Sequence, residues 1–525
     1  MMKNWDRVLL SVLFATIFIL VHGYQFNNGD QEEHLPYVYK LIDSNLYQND
    51  YLVPVQTSQF SIRFYFAYLI RAGAYLLPIP TLVFLIYFIC LCTIGWVASQ
   101  ISERVSKNTI AAMIAPALII LVNNFTVGGN SIIDVQLTCT VIAVALGAMA
   151  YSYFTKGKVA FAAAFCGIAS LFQLLVGLQL VMLLIISSFL IVNKKRWINS
   201  IKYFLIYLIF AGAMLFPLLY LQFGTLRALE SEKYFNILFY FRNSNHYHPF
   251  CFPLTDYLKT LFWWIIILLS IQFSSKRQQL SNYSILIILS TAGCLLYFIG
   301  FTQMNIYAIG KLQWFKATIW PTLFGAIPVS IYLVEKIKVR SMNLSLTKMR
   351  VTVTFCIIFM LLLLFNSANL HYDKLKYRYK LGNYPQKDLE KMHHWIAKNT
   401  PLNAVFLTLP EDDSFLSEAK RSTPVGYKGI IHQPDFMIPW YEKMKNVYGV
   451  ELSDKKCRKL LDEAKLIYHH RPDEIIQTDV KIDYRIYDLN QIDSNHIKWN
   501  YLIHREGDIL LLTFSKKSNF IEIEY

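Results

Sequence analysis

Charge is what this sequence has least of. Only 16% of its 525 residues are Asp, Glu, Lys or Arg, against 55% hydrophobic, which excludes an ordinary soluble protein of this length. No CxxC pair occurs, and the CxC at 90–92 lies inside an apolar run, so no zinc or dithiol framework is indicated. Cys90, Cys92, Cys139, Cys166, Cys294 and Cys356 all sit in such runs as small hydrophobes. Cys251 and Cys457 fall outside them and could pair, although no spacing demands it. Internal repeats and low-complexity linkers are also missing. No small-residue cleavage site follows the first apolar run, where VHGYQFNN stands, so that run is expected to be a retained span. The formal charge of +15 is spread over many short loops rather than gathered in a patch, which argues against nucleic acid as a partner.

What the chain does have is long apolar runs. They lie near 8–24, 79–99, 109–123, 136–153, 159–172, 174–192, 201–222, 257–273, 283–301, 312–333 and 351–368. The expectation is an α-helical polytopic membrane protein with about 11 spans, the amino terminus inside and the carboxyl terminus outside. Charge supports that parity. The loops it places in the cytoplasm carry Arg104 and Lys107, Lys156 and Lys158, Lys194 to Arg196, Lys276 and Arg277, then Lys336, Lys338, Arg340, Lys348 and Arg350. The segment 61–77, SIRFYFAYLIRAGAYLL, would reverse the parity if it spanned. Arg63 and Arg71 make that costly, so it is expected to be an interfacial helix within a large external first loop, 25–78. The membrane domain is then 1–368. The remaining 369–525 changes composition, with a helix-like KDLEKMHHWIAKN and strand-like AVFLTL and DILLLTF, and is expected to be an external soluble α/β domain.

Chemistry is concentrated where charge is scarce. Asp30, Glu32 and Glu33 follow the first span at once. They fit a capping box, with Asp30 as N-cap and Glu33 three residues on, opening a helix with Leu35, Val38, Leu41 and Ile42 on one face. Pro36 opposes that, because it lacks an N–H and crowds the Glu32 carbonyl, so a helix starting nearer Leu35 would leave the three carboxylates in a loop. Both readings stand on the sequence.

The layout resembles the GT-C glycosyltransferases: a short inside terminus, one span, an external loop with an early acidic motif, Gly29-Asp30-Gln31-Glu32-Glu33-His34, further spans and an external carboxyl domain. More narrowly, GDQEEHLPYVYKLID, WIAKNTPLNAVFL and DDSFLSEAKRSTPVGYK resemble a set of uncharacterised bacterial multi-pass proteins. The resemblance implies a sugar donor linked to a polyprenyl phosphate or diphosphate, a first-loop carboxylate acting as base or metal ligand, and an envelope glycan, lipid or protein as acceptor. Asp30 is the first choice for the base, with Glu33 and Glu32 as alternatives. His34 belongs to the motif and is counted with the substrate-binding residues. An inverting transfer needs such a base for the acceptor hydroxyl, while the departing lipid phosphate needs cations rather than a strong acid. Asp134 in the loop 124–135 would orient the acceptor or complete a magnesium or manganese site with Asp30; otherwise it is a carboxylate at a helix start. Arg242, Lys311 and Lys316 lie on the expected external face, where they would either clamp the phosphate or snorkel to headgroups. His246 and His248 form an HxH whose rings share a side if extended, yet two ligands are not a site. The WWD of the oligosaccharyltransferase branch is missing, WW occurring only at 263–264 inside a span. The expected setting is a bacterial inner membrane with the carboxyl domain periplasmic. The alternatives are a lipid or small-molecule transporter or flippase, disfavoured by spans poor in Asp, Glu and Arg and by the lack of paired halves, and a non-catalytic envelope assembly protein.

Overall fold

The computed structural model describes residues 2–190, 196–223, 228–337, 378–451, 480–490, 501–513 and 521–522, with short pieces between 353 and 361. Six helices in it are long and apolar enough to cross a membrane: Asn4–His22, Ile79–Ser106, Ser200–Leu221, Leu254–Phe273, Arg277–Gln303 and Tyr307–Ile337. The chain is a polytopic membrane protein. Four further expected spans are shorter apolar helices, Thr109–Leu121, Cys139–Phe154, Val159–Phe172 and Leu174–Leu190, of 10–17 residues. At 1.5 Å per residue each falls below the ~30 Å of a hydrocarbon core. The eleventh, 351–368, lies largely outside the described residues.

The chain divides into two compact units. The first comprises Met1–Tyr24, Val83–Pro217 and Asn245–Asn366, and holds the apolar helices. Close approach and ring stacking make its core: Gly147 leaves room for the Trp320 ring, and Tyr151 stacks on Phe324 at 3.8 Å. Trp263 and Trp264, the pair at the expected span, donate their indole N–H groups to Thr322. Cys251 in this unit is disulfide-bonded, whereas Cys90, Cys92, Cys139, Cys166, Cys294 and Cys356 are free thiols. Cys457 lies outside the described residues.

The second unit brings together Gln25–Leu82, Leu218–Ser244 and Ser367–Tyr525. Its five-stranded sheet contains β1 (Phe406–Leu407), β2 (Tyr484–Asp488), β3 (Tyr501–Glu506), β4 (Ile509–Thr513) and β5 (Ile521–Glu522), in the order β1-β2-β4-β3-β5. Only β1 and β2 pair in parallel. DILLLTF forms β4 because both faces of the sheet are covered. Ile509 and Leu511 join Phe406, Ile486, Met392, Ile396 and Phe415 on one side, while Leu510 and Leu512 meet Tyr487 on the other. The helix Asp388–Asn399 covers the first face, and Pro401 follows its end at Thr400. The first loop contributes the helix Phe64–Ala74, within the expected 61–77; its Phe66, Ala67 and Ile70 are buried, while its Tyr68 and Leu69, and Tyr75 and Leu76 just past its end, remain exposed.

Hydrogen bonds tie that loop to the tail at several points. The buried Asp50 carboxylate accepts from the backbone of Leu52, Val53 and Thr423 and from the Thr423 hydroxyl. Tyr47 donates to the Leu416 carbonyl at 2.6 Å, and Tyr51 to the carbonyls of Gly426 and Gly429.

Candidate active site

The acidic motif opens a helix after all. Gln31–Ile42 is continuous through Pro36, so of the two open readings the one with a loop and a helix start nearer Leu35 is corrected. Pro36 forfeits only its own bond to the Glu32 carbonyl, and the burial of Leu35, Tyr37, Val38 and Tyr39 holds the rest of the helix in place. The capping box is not made either. Asp30 stands at the N-cap with helical dihedrals and no side-chain cap bond, and Glu33 turns away from it. The first turn thus projects its carboxylates in different directions.

Glu33 is buried against Arg63, with an Nη2 to Oε1 distance of 2.6 Å, and also accepts the Ile430 N–H at 3.2 Å. Arg63 Nη1 donates to the Ile430 carbonyl at 3.4 Å, so one ion pair staples the first loop to the tail. His34 packs its ring on Phe66 at 5.0 Å. Burial first, then the charges of Arg63 and Lys428, push its pKa down to about 3 against a smaller upward pull from Asp30. It is a neutral, buried ring, and its Nδ1 has no hydrogen-bond partner among the described residues.

Glu32 points into a narrow pocket. Glu33, Tyr51, Thr408, Asp412, Asp413, Phe415 and Lys428 line the rest of it. Lys428 Nζ donates to Glu32 Oε2 at 2.7 Å and stands 3.7 Å from Asp413 Oδ2. Burial raises the Glu32 carboxyl to about 7; Lys428 pulls it down, and Asp413 and Glu418 push it up. Burial likewise raises Asp413 to about 6, against the downward pull of Lys428 and Arg242. Lys428 is held above its usual value. Burial opposes its charge, but Glu32, Asp413 and Asp30 outweigh that cost. Arg242 belongs to the same surroundings, donating to the Lys428 carbonyl at 2.5 Å while its guanidinium lies over the Tyr427 ring at 5.1 Å.

The structure therefore gathers Asp30, Glu32, Glu33, His34 and Arg242 in one unit, and adds Asp412, Asp413 and Lys428, which the sequence reading had not assigned. DDSFLSEAKRSTPVGYK carries a resemblance over that stretch, but nothing in it says that Lys428 would supply the cation for Glu32. Asp134, Lys311 and Lys316 belong to the other unit. The Asp134 carboxylate accepts from Ser131 and Thr138 at 2.7 and 2.9 Å, ordering the turn into Cys139–Phe154. His246 and His248 are not in an extended segment: Ser244–Tyr247 is a helical turn, and His246 Nδ1 pairs with the Gly128 carbonyl at 2.9 Å. Among the described residues no group of three or more His, Cys, Asp or Glu side chains is arranged to hold a metal ion. Between Glu32 and Asp413 the Lys428 ammonium takes the place a cation would fill.

Residues 387–447, which include Asp412, Asp413 and Lys428, match a family described as a domain of unknown function (DUF6798). No curated protein matches the chain. Among solved structures it is similar to the Archaeoglobus fulgidus oligosaccharyltransferase tethered with an acceptor peptide containing the NVT sequon. The identity is 12% and the TM-score 0.38, with 99% of this chain and 76% of that one covered. A likeness that loose leaves the reading of this chain to its own residues.

Proposed function

We propose that the protein is a membrane glycosyltransferase of GT-C type. It moves a sugar, with inversion, from a polyprenyl-phosphate-linked donor to an envelope acceptor on the external face of a bacterial inner membrane, and Glu32 is the base. One observation carries the proposal: a first-loop carboxylate in a pocket, hydrogen-bonded to Lys428 and held near neutrality by burial. A general base works best with a pKa near the working pH, which favours Glu32 over Asp30, an exposed residue at the helix N-cap.

In this reading Lys428 orients the ionised Glu32 towards the acceptor hydroxyl. As the hydroxyl oxygen attacks the anomeric carbon, its proton passes to Glu32. The lone pair of the breaking glycosidic bond leaves with the lipid phosphate, which needs no proton. Once Glu32 is neutral, the ammonium of Lys428 can turn to Asp413, 3.7 Å away, so that its charge is never left uncompensated. Arg242, which donates to the Lys428 carbonyl, is the candidate for the donor phosphate.

The test is transfer of labelled sugar from polyprenyl-phosphate donors to envelope extract by the purified protein in nanodiscs. Glu32→Gln is expected to lower kcat by about 100- to 10,000-fold, and Asp30→Asn by only a few-fold. The reverse ranking would return the base to Asp30. A wild type that transfers nothing from any donor would favour a transporter or an assembly protein.

A further inference from the structure

We propose that His393 is a positioning residue for this pocket: its ring, gripped by Asp412 and Glu418, fixes the Glu411–Asp413 turn so that Asp413 faces Lys428 and Glu32. The proposal deepens the reading of Glu32 above and rests on it. His393 comes from the helix Asp388–Asn399 and is fully buried. Its Nε2 lies 2.8 Å from Asp412 Oδ2 and its Nδ1 3.0 Å from Glu418 Oε2. A neutral imidazole has one donor, so a ring bonded through both nitrogens to carboxylates is an imidazolium.

Three acids in succession, Glu411-Asp412-Asp413, form a turn that their own repulsion works against. Its backbone is pinned by Asp412 N–H to the Leu409 carbonyl and Asp413 N–H to the Glu411 carbonyl. The cation beneath it draws Asp412 inward to full burial, and the neighbouring side chain, Asp413, then lies on the pocket side with 29% exposure. The other end of the grip reaches the first loop. Glu418 Oε1 accepts from Lys380 at 3.1 Å and from Asn27 at 3.3 Å, three residues before Asp30. The groups facing the ring are thus Asp412 and Glu418, with Lys380, Glu390 and His394 beyond them. On the β3 side of the helix, His504 stacks on Trp395 rather than on His393.

A histidine serving only the core needs one partner and has no reason to govern Glu32. The positioning role does, because the charge on Asp413 is among the forces that raise the Glu32 carboxyl. If His393→Gln frees the turn, Asp413 moves off and Glu32 titrates lower.

The experiment follows the Glu32 carboxyl by infrared difference titration in the full chain in nanodiscs, with Glu32→Gln identifying its band. His393→Gln is expected to lower the midpoint by about half a unit or more. Arg421→Gln, which loosens the same helix by removing its bonds to the Ala397 and Thr400 carbonyls, is expected to leave it in place. An unchanged midpoint in His393→Gln, or equal shifts in both variants, would overturn the proposal. Should His393→Gln fail to fold, the nitrogen resonances of labelled histidine in the wild type decide it. Two protonated ring nitrogens near about pH 8 support the grip, and one bare nitrogen rejects it. Because the titration does not require turnover, a wild type without transferase activity would sink the catalytic reading while this result still stood or fell separately.

Discussion

At the residue scale, two neighbouring glutamates in one helical turn have opposite work. Glu33 is structural: its partner Arg63 is buried with it, and together they hold Ile430. Arg63→Met should therefore destabilise the protein by about 3–5 kcal/mol, the usual cost of stranding a buried charge. Removing both charges in Arg63→Met/Glu33→Leu should recover much of the loss, as thermal unfolding in detergent would show. A double variant no more stable than the single one would mean that the pair itself is needed. Glu32, by contrast, is poised. Its ammonium partner lowers its pKa while burial and Asp413 raise it. Lys428→Met leaves only the raising influences, so the ionised fraction near pH 7 should shrink and the pH–rate profile should move alkaline by about a unit. A profile displaced towards acid would contradict the assigned signs.

At the element scale, the helix Asp388–Asn399 and the short helix Phe415–Ala419 are joined through His393 and Glu418. Burial disfavours the charged ring, but Asp412 and Glu418 prevail and raise its pKa to about 10 from the usual 6.5. A basic group raised on folding contributes stability that is complete below about pH 6.5 and disappears as the pH climbs through about 10. The wild type should accordingly lose thermal stability between those values, and His393→Gln should be less stable at neutral pH with a flatter slope, measurable by scanning fluorimetry. Parallel slopes in the two proteins would show that the loss comes from other groups. These elements were partly legible in the sequence. KDLEKMHHWIAKN has helical spacing and a Thr-Pro stop, and DILLLTF is too short and too apolar for anything but a covered strand. The start of Gln31–Ile42 was not legible, because Pro36 looks like a barrier until the burial of Leu35, Tyr37 and Val38 is known.

At the scale of the whole molecule, apolar runs announced a polytopic membrane protein, since a hydrocarbon core imposes their length and composition. The runs 109–123 and 136–153 are slightly longer than their helices, Thr109–Leu121 and Cys139–Phe154, while 159–172 coincides with Val159–Phe172. The pocket was only half legible. Asp30, Glu32 and Glu33 stood out as carboxylates in a charge-poor chain, but the cation for Glu32 comes from Lys428, almost four hundred positions away along the chain. No periodicity links the two. The join is made by tertiary bonds such as Asp50 to Thr423 and Tyr47 to Leu416. The central claim is that Glu32 must be ionised to act, and the dependence of kcat/KM on pH in the wild type tests it most directly, because that ratio reports groups of the free enzyme. It should rise about tenfold per unit at low pH and level off near pH 7, where Glu32 titrates. A rate already level from about pH 5 upwards would mean that another first-loop carboxylate, Asp30 foremost, takes the proton instead.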